Sequence, residues 1–224
     1  MRNPVTWTWP WRRAGWPPRA APSRTSQAVA LTRATLDRPH TPGGDPVAQQ
    51  RLCAGMRPAP VASLRARLAA RTGFFDEQVL AAIGRGTRQV VILGAGYDDR
   101  ALRFRSPGVR FVEVDHPATQ ADKRRRLAAL AGGDGPVLAA ADFRSGDVAA
   151  VLAGCGHDPG QDTLFLCEGL LVYLDVPVTG GLLRALRSRA APGSVLAVSL
   201  AVHPPGADSA AVAARLNAGR RAGG

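Results

Sequence analysis

Two glycines and a following acid are spaced along this chain in a way that could bind an adenosine-containing ligand. Gly94 and Gly96 follow the apolar run Gln89–Leu93, and Asp115 closes a second apolar run that begins after Arg110. Glycine lets the backbone approach a ligand where a Cβ atom would clash. An acid at the end of the next strand, about 20 residues on, accepts hydrogen bonds from ribose hydroxyls. The pattern therefore predicts a nucleoside cofactor site.

The residues after the glycine turn indicate which cofactor this is. A dinucleotide fingerprint has a third glycine, which places the pyrophosphate at a helix N-terminus, but this chain has Asp99 at that position. Carboxylates at Asp98 and Asp99 would repel a diphosphate, whereas S-adenosyl-L-methionine carries no phosphate. We therefore expect S-adenosyl-L-methionine, and a nicotinamide oxidoreductase is the weakest interpretation.

Two more acids follow apolar runs that are typical of buried strands. Asp142 comes after residues 137–141 and could accept from an adenine amino group, while the backbone amide of Phe143 donates to a ring nitrogen. Glu168 follows residues 163–167 and could hold the cofactor ammonium or face the acceptor. Ligands of open α/β sheets bind at the carboxyl ends of the strands. Both acids are therefore predicted to border the same site.

Each acid also has a purely structural interpretation. Asp115 could cap the helix that begins near Pro117, and Asp142 could cap a helix over 145–153. Glu168 could pair with an arginine. The sequence leaves both kinds of role open for all three residues.

Strands and helices alternate through the region that contains these residues. The predicted strands are 89–93, 110–114, 137–140, 163–167 and 194–202, and the predicted helices are 98–104, 117–131, 145–153 and 178–190. Each strand–helix pair has about the length of a right-handed crossover. The predicted fold is α/β, with a doubly wound, mostly parallel sheet.

Helical patterns also precede the first strand, at 23–36, 61–70 and 76–83, with a turn-rich loop at 39–46. We expect them to form an N-terminal cap over the cofactor site. The predicted domains are a Trp-, Pro- and Arg-rich leader at 1–22 and one cofactor-binding domain at 23–224, divided into a helical cap at 23–86, a Rossmann-like core at 87–202 and a lid at 203–224. The leader is expected to be disordered, with an interfacial or partner-binding tail as the alternative.

The net charge of +12 comes almost entirely from arginine, because Lys123 is the only lysine. A basic excess can indicate nucleic acid or an anionic membrane as a partner. Here the arginines are dispersed, which favours solvated helix faces, and no apolar run has the length of a membrane span. We expect neither nucleic acid nor membrane as a partner, and the sequence carries no signal for an oligomeric state.

The cysteines and histidines favour neither a disulfide framework nor a metal site. Cys53, Cys155 and Cys167 make an odd number without close pairs, and the four histidines are isolated. This pattern is typical of the reducing cytoplasm, which is the predicted location.

Several ordered motifs together resemble the leucine carboxyl methyltransferase family, and most closely its bacterial branch of S-adenosyl-L-methionine-dependent methyltransferases. The motifs are Ser23-Arg24-Thr25, Asp45-Pro46-Val47-Ala48, Ala70-Arg71-Thr72 with Phe75-Asp76, the run 89–103, the run 111–117 with Gln120 and Lys123, Asp142-Phe143-Arg144, and the run 168–174. They span about 23–216. The resemblance implies a Rossmann-like class I methyltransferase fold.

The resemblance also implies roles for individual residues. It puts Arg71 near the cofactor carboxylate and the Gly94–Gly96 turn beneath the methionine portion. Asp115 would bind the ribose, and Asp142 and Phe143 the adenine. Glu168 would lie beside the methionine amine. Phe143 stands where the family usually has Leu, a tolerable change if the backbone amide makes the contact.

The resemblance implies an O- or carboxyl-methyltransferase whose acceptor is a small molecule or peptide. No catalytic residue is assigned, since methyl transfer depends mainly on alignment of acceptor and methyl group. Family members continue beyond the fifth strand, so this chain is expected to lack the last two strands and part of the acceptor pocket. The alternatives are a truncated relative that binds cofactor without catalysis, and an arginine-rich nucleic-acid-binding protein.

Overall fold

Strands and helices alternate through the residues that the computed structural model describes, which are 21–57, 65–130 and 135–200. The elements are α1 (Arg24–Arg33), α2 (Ala48–Leu52), α3 (Arg65–Gly84), β1 (Gln89–Leu93), α4 (Arg100–Arg103), β2 (Arg110–Asp115), α5 (Pro117–Ala128), β3 (Val137–Ala140), α6 (Val148–Gly154), β4 (Thr163–Cys167), α7 (Val176–Ser188) and β5 (Val195–Val198). A short 3₁₀ turn at Leu171–Tyr173 follows β4.

The five strands form one parallel sheet in the order β3-β2-β1-β4-β5. In its register Val91 of β1 lies opposite Val112 of β2 and Phe165 of β4. All residues of β1 and β4 are buried, as expected for central strands covered on both faces. The prediction of an α/β fold with a doubly wound parallel sheet is confirmed.

The chain moves outward from β1 to β3, then returns past β1 to β4 and β5. Right-handed crossovers place α4 and α5 on one face of such a sheet and α6 and α7 on the other. Helix α3 contributes Phe75, Val79 and Ala82 to a core cluster with the central strands. Helix α3, which belongs to the predicted cap, is therefore packed against the sheet.

The helices predicted at 61–70 and 76–83 are one continuous helix, α3, within the described residues. The interruption predicted between residues 70 and 76 is absent because the buried side chains keep helical spacing across it. These are Leu68, Thr72, Phe75, Asp76, Val79 and Ala82. Burial of this stripe, in which Leu68, Phe75, Val79 and Ala82 are apolar, outweighs the low helix propensity of one glycine.

Several other predicted boundaries are wrong by a few residues. Helix α6 begins at Val148 because Asp147 accepts from the amide of Ala150 as its N-cap, and α7 begins at Val176 because Asp175 caps it in the same way. The fifth strand is Val195–Val198 within the described part of the predicted 194–202. Helix α2 was not predicted.

Strand β5 lies at one edge of the described sheet. Val195 and Leu196 are 38% and 39% exposed, so both faces of this strand are partly open. Residues 1–20 of the predicted leader and the predicted lid at 203–224 lie outside the described residues. The expectation about the last two strands of the sheet also concerns a part of the protein outside the described residues.

Candidate functional site

The glycine turn after β1 is in direct contact with the acid that ends β2. The amide of Gly96 donates to Oδ2 of Asp115 at 2.6 Å, and the amide of His116 donates to Oδ1 at 2.6 Å. Asp115 is 4% exposed. Burial raises the pKa of its carboxyl group although both amides oppose that shift. Each carboxylate oxygen keeps a second lone pair that can accept from another donor.

Asp115 does not cap helix α5, so that interpretation is wrong. The N-cap is His116, whose ring accepts from the amide of Ala118, and Pro117 lies in the first turn. The carboxylate of Asp115 instead links the ends of two adjacent strands.

Both glycines of the turn require a left-handed backbone, with φ of 66° at Gly94 and 51° at Gly96. Their α-carbons also face close neighbours. A Cβ added to Gly94 would lie 3.1 Å from Cβ of Leu170, and one added to Gly96 would lie 2.8 Å from Cβ of Ser26. The turn is therefore packed between helix α1 and the loop after β4.

We expect Gly96→Ala to destabilise the protein more than Gly86→Ala. Both positions have positive φ, but a Cβ at Gly86 meets no atom within 4 Å. The strain of the left-handed backbone is about 1–2 kcal/mol. Crowding against Ser26 should add about 1–3 kcal/mol at Gly96 only. Urea unfolding of both variants measures this difference, and equal losses would show that α1 does not press on the turn.

Asp142 lies in the loop after β3, beside the end of β2. The amide of Ala141 donates to the carbonyl of Asp115 at 2.9 Å, which brings the start of this loop against the ribose candidate. The Oδ1 atom of Asp142 accepts from the amide of Arg144 at 3.0 Å. Its predicted alternative as the cap of α6 is wrong, because Asp147 has that role. The side chain of Phe143 is buried.

Glu168, at the end of β4, is surrounded by three arginines. Its Oε2 lies 2.6 Å from Nη2 of Arg33 and 2.9 Å from Nη1 of Arg100, and its Oε1 lies 2.8 Å from Nε of Arg71. Burial by itself would raise the pKa of Glu168, but these guanidinium groups outweigh it and hold the pKa far below its ordinary value. The predicted structural pairing with arginine is confirmed.

These ion pairs belong to a larger group that we call the arginine–carboxylate cluster. Its members are Arg33, Arg38, Arg71, Arg100, Arg103, Asp76, Asp98, Asp99 and Glu168. Five guanidinium groups thus face four carboxylates, which leaves one positive charge in excess within the described residues. Arg71 is 32% exposed, whereas the other side chains are buried. The cluster can therefore accept an anion at its open member.

The cluster corrects the expectation that Asp98 and Asp99 would repel a diphosphate. Asp98 lies 3.2 Å from Arg33, and Asp99 lies 2.6 Å from Arg38. These acids are neutralised by arginines instead of presenting free charge to a ligand. The missing third glycine remains as the local feature that disfavours a dinucleotide.

Sequence reasoning did not identify Arg33, Arg38 and Arg100 as parts of the site. The partners of Arg33 and Arg38 lie far along the chain, and Arg100 pairs both with distant Asp76 and Glu168 and with Asp98, two residues before it, so no helical spacing connects them. One pair did carry a local signal, because Arg103, the last residue of α4, follows Asp99, the N-cap of that helix, by four residues.

The described residues include no group of three or more His, Cys, Asp or Glu side chains placed to hold a metal ion. Cys53, Cys155 and Cys167 are free thiols. In the same part of the chain, no helix is both long and apolar enough to cross a membrane.

A model of the leucine carboxyl methyltransferase family matches residues 27–187 of this chain. A Streptomyces coelicolor relative, named as an inferred S-adenosyl-L-methionine-dependent methyltransferase, is 36% identical over 194 residues, which cover 79% of this chain and 68% of the relative. A Parafrankia relative with the same designation is 42% identical over 140 residues, which cover 60% of this chain and 44% of the relative. The chain therefore spans less than half the length of the Parafrankia relative.

One solved structure has a similar fold. It is that of an inferred methyltransferase from Thermobifida fusca, and it matches with a TM-score of 0.53 at 21% identity, over 88% of this chain and 73% of that one. At this level of identity, the similarity shows a shared fold.

Proposed function

The chain belongs to the leucine carboxyl methyltransferase family, and from this premise we propose that it is an S-adenosyl-L-methionine-dependent methyltransferase. The observation that carries the proposal is the contact between Gly96 and Asp115 at the carboxyl edge of the sheet. The carboxyl end of β1 lies between the carboxyl ends of β2 and β4. At this point the strand order changes direction, because the chain runs from β1 to β2 and β3 on one side and to β4 and β5 on the other. Cofactors bind at this switch point in open α/β sheets.

Three candidate residues along this edge of the sheet could bind the nucleoside half of the cofactor: Asp115, Asp142 and Phe143. Asp115 has lone pairs left for ribose hydroxyls after accepting the amides of Gly96 and His116. Asp142 and the amide of Phe143 follow the neighbouring strand and would receive the adenine. The left-handed turn of Gly94 and Gly96 would lie beneath the methionine portion, in line with the role that the family resemblance implies.

The amino-acid half of the cofactor fits the arginine–carboxylate cluster. Arg71 is its partly exposed member, and the cluster's excess positive charge suits a carboxylate there. Glu168 would accept from the cofactor amine, in line with the role that the family resemblance implies. Three arginine contacts already occupy much of its acceptor capacity, so amine binding would redirect at least one of them.

The bound cofactor would supply a methyl group on a positively charged sulfur. The task of the chain's own residues is then to hold the cofactor, exclude water and align an acceptor. We propose an oxygen or carboxylate of a small molecule or peptide as that acceptor. This part of the proposal follows the family to which the chain belongs.

Nucleic acid is a weaker candidate partner because part of the basic charge is internal. The side chains of Arg33, Arg38, Arg100 and Arg103 are at most 6% exposed and pair with carboxylates. They cannot contribute to a basic surface for phosphates. The free cysteines are consistent with the proposed cytoplasmic location.

Calorimetry with S-adenosyl-L-methionine and with NAD tests the proposed cofactor. We expect binding of the first and no measurable binding of the second, because the turn has Asp99 where a dinucleotide site needs its third glycine. Binding of NAD alone would refute the proposal. Release of S-adenosylhomocysteine in the presence of carboxylic acids, phenols or peptides then separates an active enzyme from a relative that only binds the cofactor.

A further inference from the structure

The chain's single lysine is completely buried. Lys123, in α5, has a relative exposure of 0%, and the other 28 of the 29 lysine and arginine residues in this protein are arginine. A buried ammonium is unfavourable unless it is paired and hydrogen-bonded. A compact head group with three rotatable donors fits where the planar guanidinium fork would not. The choice of lysine at this position therefore points to a specific set of acceptors.

Those acceptors join the second strand to the glycine turn. The Nζ atom of Lys123 donates to the carbonyl of Asp98 at 2.6 Å and to Oε2 of Glu113 in β2. Glu113 is fully buried, and within the described residues its Oε1 has no hydrogen-bond partner. Lys123 is thus the group that neutralises Glu113, and it uses a second donor to hold the turn.

Asp98 is the residue that closes the turn. Its amide donates to the carbonyl of Ala95 at 2.8 Å, so its own carbonyl is fixed relative to Gly94 and Gly96. The neighbouring residue is held by the same helix, because the hydroxyl of Tyr97 donates to Asp122 at 2.6 Å. Helix α5 therefore fixes the turn at two successive residues.

We propose that Lys123 is a positioning residue that fixes the Gly94–Asp98 turn and thereby sets the affinity for the cofactor. Lys123 does not itself touch the ligand; it holds the backbone on which the ligand would lie. The inference rests on the proposed function, because it concerns the same cofactor site.

The test removes the tether without leaving a buried charge. In the double variant Glu113→Leu with Lys123→Met, apolar side chains of similar volume replace the pair, a change that is often neutral for stability. We expect S-adenosyl-L-methionine to bind about tenfold more weakly, since a hydrogen bond from a charged donor is lost. Amide exchange in residues 94–99 should accelerate about tenfold, whereas exchange in Thr163–Cys167 should not change.

The control is Arg124→Gln, which alters the next residue of the same helix. Arg124 is exposed and its contact is with the carbonyl of Leu138, so affinity and turn exchange should stay as in the wild type. Unchanged exchange, or unchanged affinity, in the double variant would overturn the inference. If the wild type itself does not bind S-adenosyl-L-methionine, the proposed function fails, while the exchange measurement still decides whether Lys123 holds the turn.

A measurement on the wild type covers the case in which the double variant does not fold. Acetylation of Lys123 by acetic anhydride requires the turn to open, since its Nζ is buried between Asp98 and Glu113. Saturating S-adenosyl-L-methionine should slow this acetylation about tenfold relative to the α-amino group. An unchanged rate, when calorimetry shows that the cofactor is bound, would overturn the coupling.

Discussion

Asp115→Ala is expected to weaken the binding of S-adenosyl-L-methionine at least about tenfold, the loss of one or two hydrogen bonds to a charged acceptor. The substitution removes the carboxylate that accepts from the amides of Gly96 and His116. The ribose would lose its acceptor, and the turn would lose a tether. Calorimetry of the variant against wild type measures the effect directly.

A milder substitution at the same position and a control variant accompany this prediction. Asp115→Asn keeps the shape of the side chain but has a single acceptor oxygen for the amides of Gly96 and His116, so we expect an intermediate affinity. Glu77→Ala removes an exposed carboxylate of α3 and should leave the affinity unchanged. Wild-type affinity in Asp115→Ala would show that the ribose site is wrongly assigned.

Glu168→Gln is expected to reduce the free energy of unfolding by about 3 kcal/mol, because buried Arg33 and Arg100 lose one of the carboxylates that neutralise them and keep only Asp98 and Asp76. Arg33 and Arg100 each lie within 3 Å of Oε2, and neither side chain is more than 6% exposed. A neutral amide keeps the volume but not the charge. Urea unfolding near neutral pH measures the loss.

The matched control is an exposed ion pair. Asp45 lies 3.0 Å from Arg51, whose side chain is 55% exposed, so Asp45→Asn should change the free energy of unfolding by less than about 1 kcal/mol. Equal losses in the two variants would show that the cluster around Glu168 contributes no more than a surface pair.

The pH dependence gives the Glu168 prediction a second readout. The pKa of Glu168 is lowered in the folded state, so its contribution is complete above the unfolded pKa of about 4.3 and declines as the pH falls below that value. The stability difference between wild type and Glu168→Gln should therefore be largest at about pH 7. At about pH 3 it should be smaller by about 2 kcal/mol. A difference that grows on acidification would contradict the assigned charge state.

Most of the sheet could be predicted from the sequence. Strands β1, β3 and β4 have the predicted bounds, because strands of a covered parallel sheet appear as short, nearly continuous apolar runs. The predicted acids follow those runs directly, and parallel strands bring their carboxyl ends to one edge. The contact of Gly96 with Asp115 is a consequence of that arrangement.

The helical cap was less predictable. The sequence predicts two helices, at 61–70 and 76–83, but the buried stripe that includes Thr72 and Phe75 continues through the interval between them. Local propensity is a weak determinant where packing of an amphipathic face contributes more free energy. The first residues of α5 and α6 were also not predicted correctly. Their N-caps are His116 and Asp147, because the exact start of a helix depends on the geometry of the preceding loop.

The ion pairs around Glu168 could not be predicted from the spacing of residues along the chain. Arg71 and Glu168 are 97 residues apart, and Arg33 joins them from a third element, α1. Sequence rules cover partners three or four residues apart on a helix, as in Asp99 and Arg103. Long-range partners require knowledge of which elements pack together.

By itself, the sequence determined the fold, the family and the residue types at the strand ends. The fold follows from the order of the apolar runs, and the family follows from the motifs that accompany those runs. The tertiary structure alone decided which charges neutralise one another. The sequence predicts that Asp98 and Asp99 repel a diphosphate, but in the structure both carboxylates are paired with arginines. Glu168 likewise lies among three guanidinium groups. The physical reason is that the strength of an ion pair depends on distance and burial, neither of which is encoded in the spacing of residues along the chain.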